Sequence, residues 1–394
     1  MFEYLKDQPT DKIMALMSLF GSDRRTSKID LGVGVYKDQS GLTPIMESVK
    51  AAENILLENQ KSKSYVGLLG SLSFVEQMIK LNLNETVSND RVCGAQAPGG
   101  TGALHQLFLL LRSAKPDSTV WISDPTWPNH PAILTHLKLK SKTYRYFDEK
   151  TCEVDFGNMM LDLEDAKFGD VLLLHGCCHN PTGANLTINN WKEITTFCSK
   201  SGVIPLIDIA YQGFGDGLRD DVLGVQHMAL NVPEMMLGTS CSKNFGVYRD
   251  RVGCAIVIAK NTKDAKSAED NLKSLNRLTF SFPPDHGAAL VDLILSDSEL
   301  QKSWEIELES MRKSMLDLRD NLAESLRSET KSDRFDFIRN HRGMFSRLGL
   351  GTVDVDRLRE EFGIYMVSDS RINIAGLQSD RLDFLASSIA QVLR

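Results

Sequence analysis

Ser240-Cys241-Ser242-Lys243-Asn244-Phe245-Gly246 follows the apolar run Met235-Met236-Leu237, and the rest of the chain is organised around its lysine. At a strand end, packing can strip water from an amine and lower its pKa, so that it condenses with an aldehyde. Flanking hydroxyls could then hold a phosphate. The competing reading is a solvated loop lysine, since most lysines are exposed. Residues far away in the sequence have to separate the two.

At 394 residues, 42% of them hydrophobic, the chain can bury a large core and form two lobes. A net charge of -7, with no long basic run and no DNA-reading motif, argues against a nucleic-acid partner. The first residues have no apolar signal core, and no later run is long enough to span a bilayer. No membrane partner is therefore expected, and the protein reads as cytoplasmic. Its seven cysteines, mostly in or beside apolar segments, read as reduced thiols. The run His175-Gly176-Cys177-Cys178-His179 offers zinc-type donors, but adjacent cysteines lack the usual ligand spacing, so no metal is expected.

Several strand-like runs turn polar at their ends. Val120-Trp121-Ile122 leads to Trp127 and His130, Val171-Leu172-Leu173-Leu174 to Asn180, Ile204-Pro205-Leu206-Ile207 to Asp208 and Tyr211, and Met235-Met236-Leu237 to Lys243. Helical patterns separate several of them, which is the alternation of an α/β fold with a mostly parallel sheet. Ligands gather beyond the carboxyl ends of such strands, so these side chains can converge. For Asp208 alone, a satisfied strand-end carboxylate is the competing explanation.

Pro98-Gly99-Gly100-Thr101-Gly102 opens an apolar helix and makes a candidate anion seat; a plain glycine turn with a Thr cap is the alternative. Earlier, Pro9 and Asp11 mark the start of a helix through Phe20, residues 29–36 suit an extended segment passing close to a ligand or other backbone, and 72–83 reads as a helix. Apolar residues at Trp304, Leu308, Met311, Met315, Leu318, Leu322 and Leu326 predict one long helix joining two lobes. A second small α/β unit follows from Phe335, closed by a helix over 380–393. Within it Arg371 opens an apolar strand and either pairs internally or offers its fork to a carboxylate.

Taken in order, Gly-Gly-Thr-Gly at 99–102, Asn-Pro-Thr-Gly at 180–183, Asp208 with Tyr211, Ser-Lys-Asn-Phe-Gly at 242–246 and Arg371-Ile-Asn resemble the pyridoxal-phosphate-dependent aminotransferases of fold type I. The likeness runs from about Asp11 to the C-terminus. Detail at 174–186 and 281–284 looks most like the bacterial aromatic-amino-acid aminotransferases, with the aspartate aminotransferases next. The resemblance implies that Lys243 bonds pyridoxal 5'-phosphate and carries the substrate's α-proton. Asp208 pairs with the pyridine nitrogen with His130 behind it, Tyr211 and Asn180 bond the phenolic oxygen, and Trp127 stacks on the ring. Gly100, Thr101, Ser240, Ser242 and Arg251 hold the phosphate, helped by Tyr65 of a second subunit. Gly99 stands where many relatives have serine, which removes one hydroxyl and puts more weight on Arg251. Substrate contacts fall to Gly34, Trp127, Asn180, to Arg371 for the α-carboxylate, and to Arg277 from the partner subunit for a distal carboxylate.

The resemblance thus implies a homodimer with shared sites, an N-terminal arm over 1–12, a small domain of 13–43 and 308–394, and a large cofactor-binding domain of 44–307. The expected activity is transfer of the amino group from tyrosine, phenylalanine or tryptophan, and from aspartate, to 2-oxoglutarate. A strict aspartate aminotransferase is the alternative. A carbon–sulfur or β-lyase on the same fold is a more distant one, disfavoured by the pair Arg277 and Arg371.

Overall fold

The computed structural model describes residues 1–7 and 11–394. Seven strands build the central sheet: β1 (Val92–Pro98), β2 (Thr119–Asp124), β3 (Lys140–Arg145), β4 (Val171–His175), β5 (Ile204–Ile209), β6 (Met235–Ser240) and β7 (Val252–Ile258), in the spatial order β1-β7-β6-β5-β4-β2-β3. Pairing is parallel from β6 through β5, β4 and β2 to β3, and β7 runs antiparallel to both β1 and β6. The mostly parallel α/β sheet read from the sequence is the observed one.

Helices cover both faces, which is why the central strands are apolar throughout instead of alternating. In β4, Val171 and Leu173 join one apolar cluster with Leu104, Leu107 and Phe108 of the helix Gly99–Ala114. Leu172 and Leu174 point the other way, into a larger cluster with Ile207, Ile209 and Leu237. The edge strand β3 differs: of its six residues only Tyr144 is buried, so its sequence gave no strand signal.

Helices form where the sequence signals placed them, at Lys12–Ser22 and Leu72–Leu83. Asp11 caps the first by accepting from the N–H groups of Ile13 and Met14. Pro9, read as the start of this helix, lies outside the described residues, as does part of the N-terminal arm. Ahead of it, Phe2, Tyr4 and Leu5 are exposed. The stripe of large apolar residues forms a single helix, Ser298–Thr330, whose Trp304 stacks on Phe245 at 4.4 Å and donates its indole N–H to the carbonyl of Asn244 at 2.7 Å. Both contacts pin the loop that carries Lys243.

Only Ile29–Asp30 of the extended segment is a strand, paired parallel with Ile364–Tyr365. Beyond it, side chains replace a partner strand. Asn373 donates to the carbonyls of Val33 and Val35 at 2.6 and 2.8 Å, and Arg371 to that of Gly32 at 2.8 Å. Phe345–Arg347 pairs antiparallel with Arg371–Asn373, and the closing helix is Leu382–Val392. Among the described residues no helix is long and apolar enough to cross a membrane. All seven cysteines are free and buried.

Three histidines are packed as neutral rings. Burial, aided by neighbouring positive charge, pulls His175 and His341 down to about 3 and His179 well below its ordinary value. Their folded pKa values lie below the unfolded one, so their contribution to stability is complete above about pH 6.5 and is lost as pH falls from there toward 3. The expected result is a thermal midpoint that drops steeply below pH 6, each histidine costing up to about 1.4 kcal/mol per pH unit. A midpoint flat from pH 7 to 5 in thermal melts would contradict neutral packing of these rings.

Candidate active site

The carboxyl ends of β2, β4, β5 and β6 open on one cavity of about 150 Å³, lined by Gly100, Thr101, Trp127, Asn180, Asp208, Tyr211, Ser240, Ser242, Lys243 and Arg251, and also by His175 and Ala210. The register Val252↔Pro98 and Gly253↔Ser240 brings the start of β7, and Arg251 before it, against both the helix-opening glycines and the end of β6.

Lys243 is half-buried, and its Nζ stands 4.9 Å over the ring of Tyr211. Burial pulls the amine down to about 8, against the attraction of Asp208 and with the repulsion of Arg251 adding to the fall. Asp208 is 6% exposed, and its Oδ2 lies 3.1 Å from Nε2 of His130, whose Nδ1 lies 2.8 Å from the hydroxyl of Thr126. Burial alone would raise this carboxyl. The hydrogen bond and charge of His130, with the charge of Lys243 adding to them, reverse that and keep it below the ordinary carboxylate range. His130 does not line the cavity; it stands behind Asp208 and edge-on to Trp127 at 5.3 Å. Asn180 donates to the Tyr211 hydroxyl at 3.4 Å, while its own Oδ1 is buried without a partner. Burial and the Asp208 charge push the Tyr211 phenol up.

In the same cavity the helix Gly99–Ala114 begins with no side-chain cap, which leaves a helix N-terminus among the lining residues with the Ser240 and Ser242 hydroxyls. The Thr-cap alternative is not realised. Arg251, in a left-handed conformation with φ of 55°, donates to the Tyr248 carbonyl at 3.1 Å and reaches the Ser242 hydroxyl at 3.5 Å. Gly99 has φ of +73°, and a Cβ there would lie 2.4 Å from Arg251 Nη2. The absent side chain at 99 and the position of the guanidinium are therefore one feature: a serine would displace the arginine.

His175 is the residue the sequence reading passed over. Weighed there only as a metal donor, it lines the cavity with both ring nitrogens buried and unpartnered. Donor atoms of His130, His175 and Asp208 lie within 4.8 Å of one another, as do those of Cys177, Cys178 and Asp221. In the second group the Asp221 carboxylate already accepts from the N–H groups of Gly213, Gly215 and Asp216 at 2.7–3.0 Å.

Besides His130, four expected site residues lie outside the lining. Arg371 is buried beside the cavity, with the Phe345 ring 4.5 Å from its guanidinium, and Gly34 packs on the same ring. Tyr65 is 85% exposed and stacks on Phe282 at 4.7 Å, and the exposed Arg277 sits 5.8 Å from that ring and donates to the Ser281 hydroxyl at 2.6 Å. These last two form one surface cluster.

The sequence profile of the family "Aminotransferase class I and II" matches residues 26–389. The chain belongs to the class I and II aminotransferases. This aminotransferase is 51% identical to the aromatic-amino-acid aminotransferase of Paracoccus denitrificans over 98% of both chains, and 41% identical to the aspartate aminotransferase of Haemophilus influenzae over 100% of both. It superposes with a TM-score of 0.97 on an aromatic-amino-acid aminotransferase from Burkholderia pseudomallei solved covalently bound to pyridoxal phosphate, at 38% identity and 100% coverage of each.

Proposed function

We propose that this aminotransferase carries pyridoxal 5'-phosphate and moves the amino group of tyrosine, phenylalanine, tryptophan and aspartate to 2-oxoglutarate. One observation carries the reading: a lysine amine held near pKa 8 and a buried ionised aspartate share a cavity with an uncapped helix N-terminus, two hydroxyls and an arginine. The residues fit the group, since the unpartnered Asn180 Oδ1 and the anion seat match its polar edge and its phosphate.

When bound, the cofactor supplies an electron-withdrawing ring that takes up the electron pair left at the substrate's α-carbon. Lys243 Nζ would hold the cofactor through its aldehyde and, when free, would take the substrate's α-proton. Asp208 holds a proton on the ring nitrogen, with His130 fixing the carboxylate. Tyr211 and Asn180 would hold the phenolic oxygen, and Trp127 would pack against the ring. Gly100, Thr101, Ser240, Ser242 and Arg251 bind the phosphate. Arg371 takes the α-carboxylate, with Gly34 beside it.

We further infer a homodimer in which the exposed Tyr65 and Arg277 complete the partner's site, Tyr65 at the phosphate and Arg277 at a distal carboxylate. Phe282, in contact with both, makes that neighbourhood apolar enough for an aromatic side chain. Residues 13–43 and 308–394 are read as a small domain on a large one of 44–307, supported by the pairing of Ile29–Asp30 with Ile364–Tyr365.

Mixing the loaded enzyme separately with aspartate, tyrosine, phenylalanine and tryptophan, and following loss of the lysine-bound cofactor's visible band, tests the specificity. Aromatic donors are expected to react at rates within about tenfold of aspartate, because one lost contact is worth roughly 1.4 kcal/mol. Aromatic rates several hundred times slower would make the enzyme a strict aspartate aminotransferase.

A further inference from the structure

The helix Ser298–Thr330 buries Met315, Leu318, Leu322 and Leu326, and in the same stripe it buries Arg319, whose exposure is 0%. Among the described residues no carboxylate forms a salt bridge with this guanidinium. Nη1 donates to Ser346 Oγ at 2.6 Å and to the carbonyl of Ile338 at 3.3 Å, while Nη2 donates to the carbonyls of Gly343 and Phe345, both at 2.8 Å. Nε has no partner, and burial draws the group down to about 9. A buried cation without a counter-ion is costly where an apolar side chain would fit the stripe, so its four bonds have to fix something the fold alone does not.

The bonded segment leads to the active site. Arg342 N–H donates to the carbonyl of Gly183, in the loop after Asn180, and Gly343 N–H to that of Phe214, in the loop after Tyr211. Two residues on, the Phe345 ring lies 4.5 Å from the Arg371 guanidinium and 6.1 Å, edge-on, from Tyr211. A Cβ on Gly34 would come within 2.8 Å of its Cζ, so the ring fills the space between Gly34, Tyr211 and Arg371. Among the described residues Arg371 has one hydrogen bond through its guanidinium, to Gly32, and an unpartnered Nε. Its orientation therefore rests on the Phe345 face as much as on hydrogen bonding.

We propose that Arg319 is a positioning residue for substrate carboxylate: its fork fixes the backbone of residues 343–346 so that Phe345 supports Arg371 in its receiving orientation. The inference rests on the reading of Arg371 as the α-carboxylate site. Arg319 touches neither substrate nor cofactor and acts only through Phe345.

The test compares binding of 3-phenylpropionate, an aromatic carboxylate with no amine to react, to loaded wild type, Arg319→Lys, Arg319→Met, Phe345→Leu and Arg371→Ala. Lysine keeps the charge but not the fork, and leucine keeps an apolar filler but not the ring. Both variants are expected to weaken binding about thirtyfold, the scale of a desolvated cation–π contact, with the pH midpoint of the cofactor's visible band unchanged. Wild-type affinity in both would overturn the proposal, as would a shift of the cofactor band equal to the loss of affinity, which would mean general loosening. If neither Arg319 variant folds, Phe345→Leu decides alone, since it leaves all four arginine bonds in place and wild-type affinity there breaks the chain of support. Wild-type affinity in Arg371→Ala would instead remove the carboxylate assignment on which the inference stands.

Discussion

Lys243→Ala is expected to lower turnover by more than about 10⁴-fold, because in the proposed mechanism one side chain would serve both as the cofactor's covalent anchor and as the proton carrier, and general acid–base work alone is worth roughly 10²–10⁴. The proposed anion seat at Gly100, Thr101, Ser242 and Arg251 does not use the lysine side chain, so the variant should still bind pyridoxal phosphate, though without a covalent link. Borohydride followed by mass measurement distinguishes the two: wild type gains one cofactor mass and Lys243→Ala gains none. The same amine gives a pH signature. A nucleophile must be neutral, so the rate at which cofactor-free wild type captures the aldehyde should climb with pH and level off above about 8, where Lys243 loses its proton. A rate still climbing toward pH 10 would be that of an exposed lysine with the ordinary value of 10.5. A cofactor mass retained by Lys243→Ala would place the bond on another residue.

What was legible in the sequence follows from what each residue packs against. The runs at 171–174, 204–207 and 235–237 announced themselves because helices cover both faces of those strands, making every position apolar. The edge strand Lys140–Arg145 did not, since five of its six side chains meet solvent and the sequence looks like a loop. Residues 29–36 read as extended, yet the strand stops at Asp30 because Arg371 and Asn373, far away in sequence, take the carbonyls that a neighbouring strand would have taken. Such long-range side-chain pairing leaves no local trace. Arg319 was passed over for the opposite reason. An arginine beside Leu318 in a long helix looks like part of the solvated face, and only the fold shows that 318 and 319 both point inward. Lys243, Asp208 and Asn180 were legible as chemistry because each is a polar residue closing an apolar run. His175 is one as well, but the thiols beside it drew the metal reading instead.

Asp208→Asn is the sharper test of the ring-nitrogen assignment, because it removes the charge and keeps the shape. The carboxylate is buried, held ionised against its own desolvation by His130, and so arranged to stabilise a positive charge in the cavity. Taking one member from such a buried pair costs roughly 3–5 kcal/mol, or about 10²–10⁴-fold in turnover if the full amount appears in the barrier. Cofactor affinity should fall much less, since the phosphate seat is untouched. Asp208→Ala, which also strands the buried His130 Nε2, should be at least as slow and less stable, while the asparagine variant keeps a hydrogen-bonding partner there. The charge also acts on Lys243: Asp208 raises that amine, so its loss should push the lysine below 8 and move the capture-rate profile of the cofactor-free variant to lower pH. Turnover and the lysine profile therefore shift together if Asp208 is the counter-charge of the site. An asparagine variant with wild-type turnover and an unmoved profile would mean that the negative charge facing the ring comes from elsewhere.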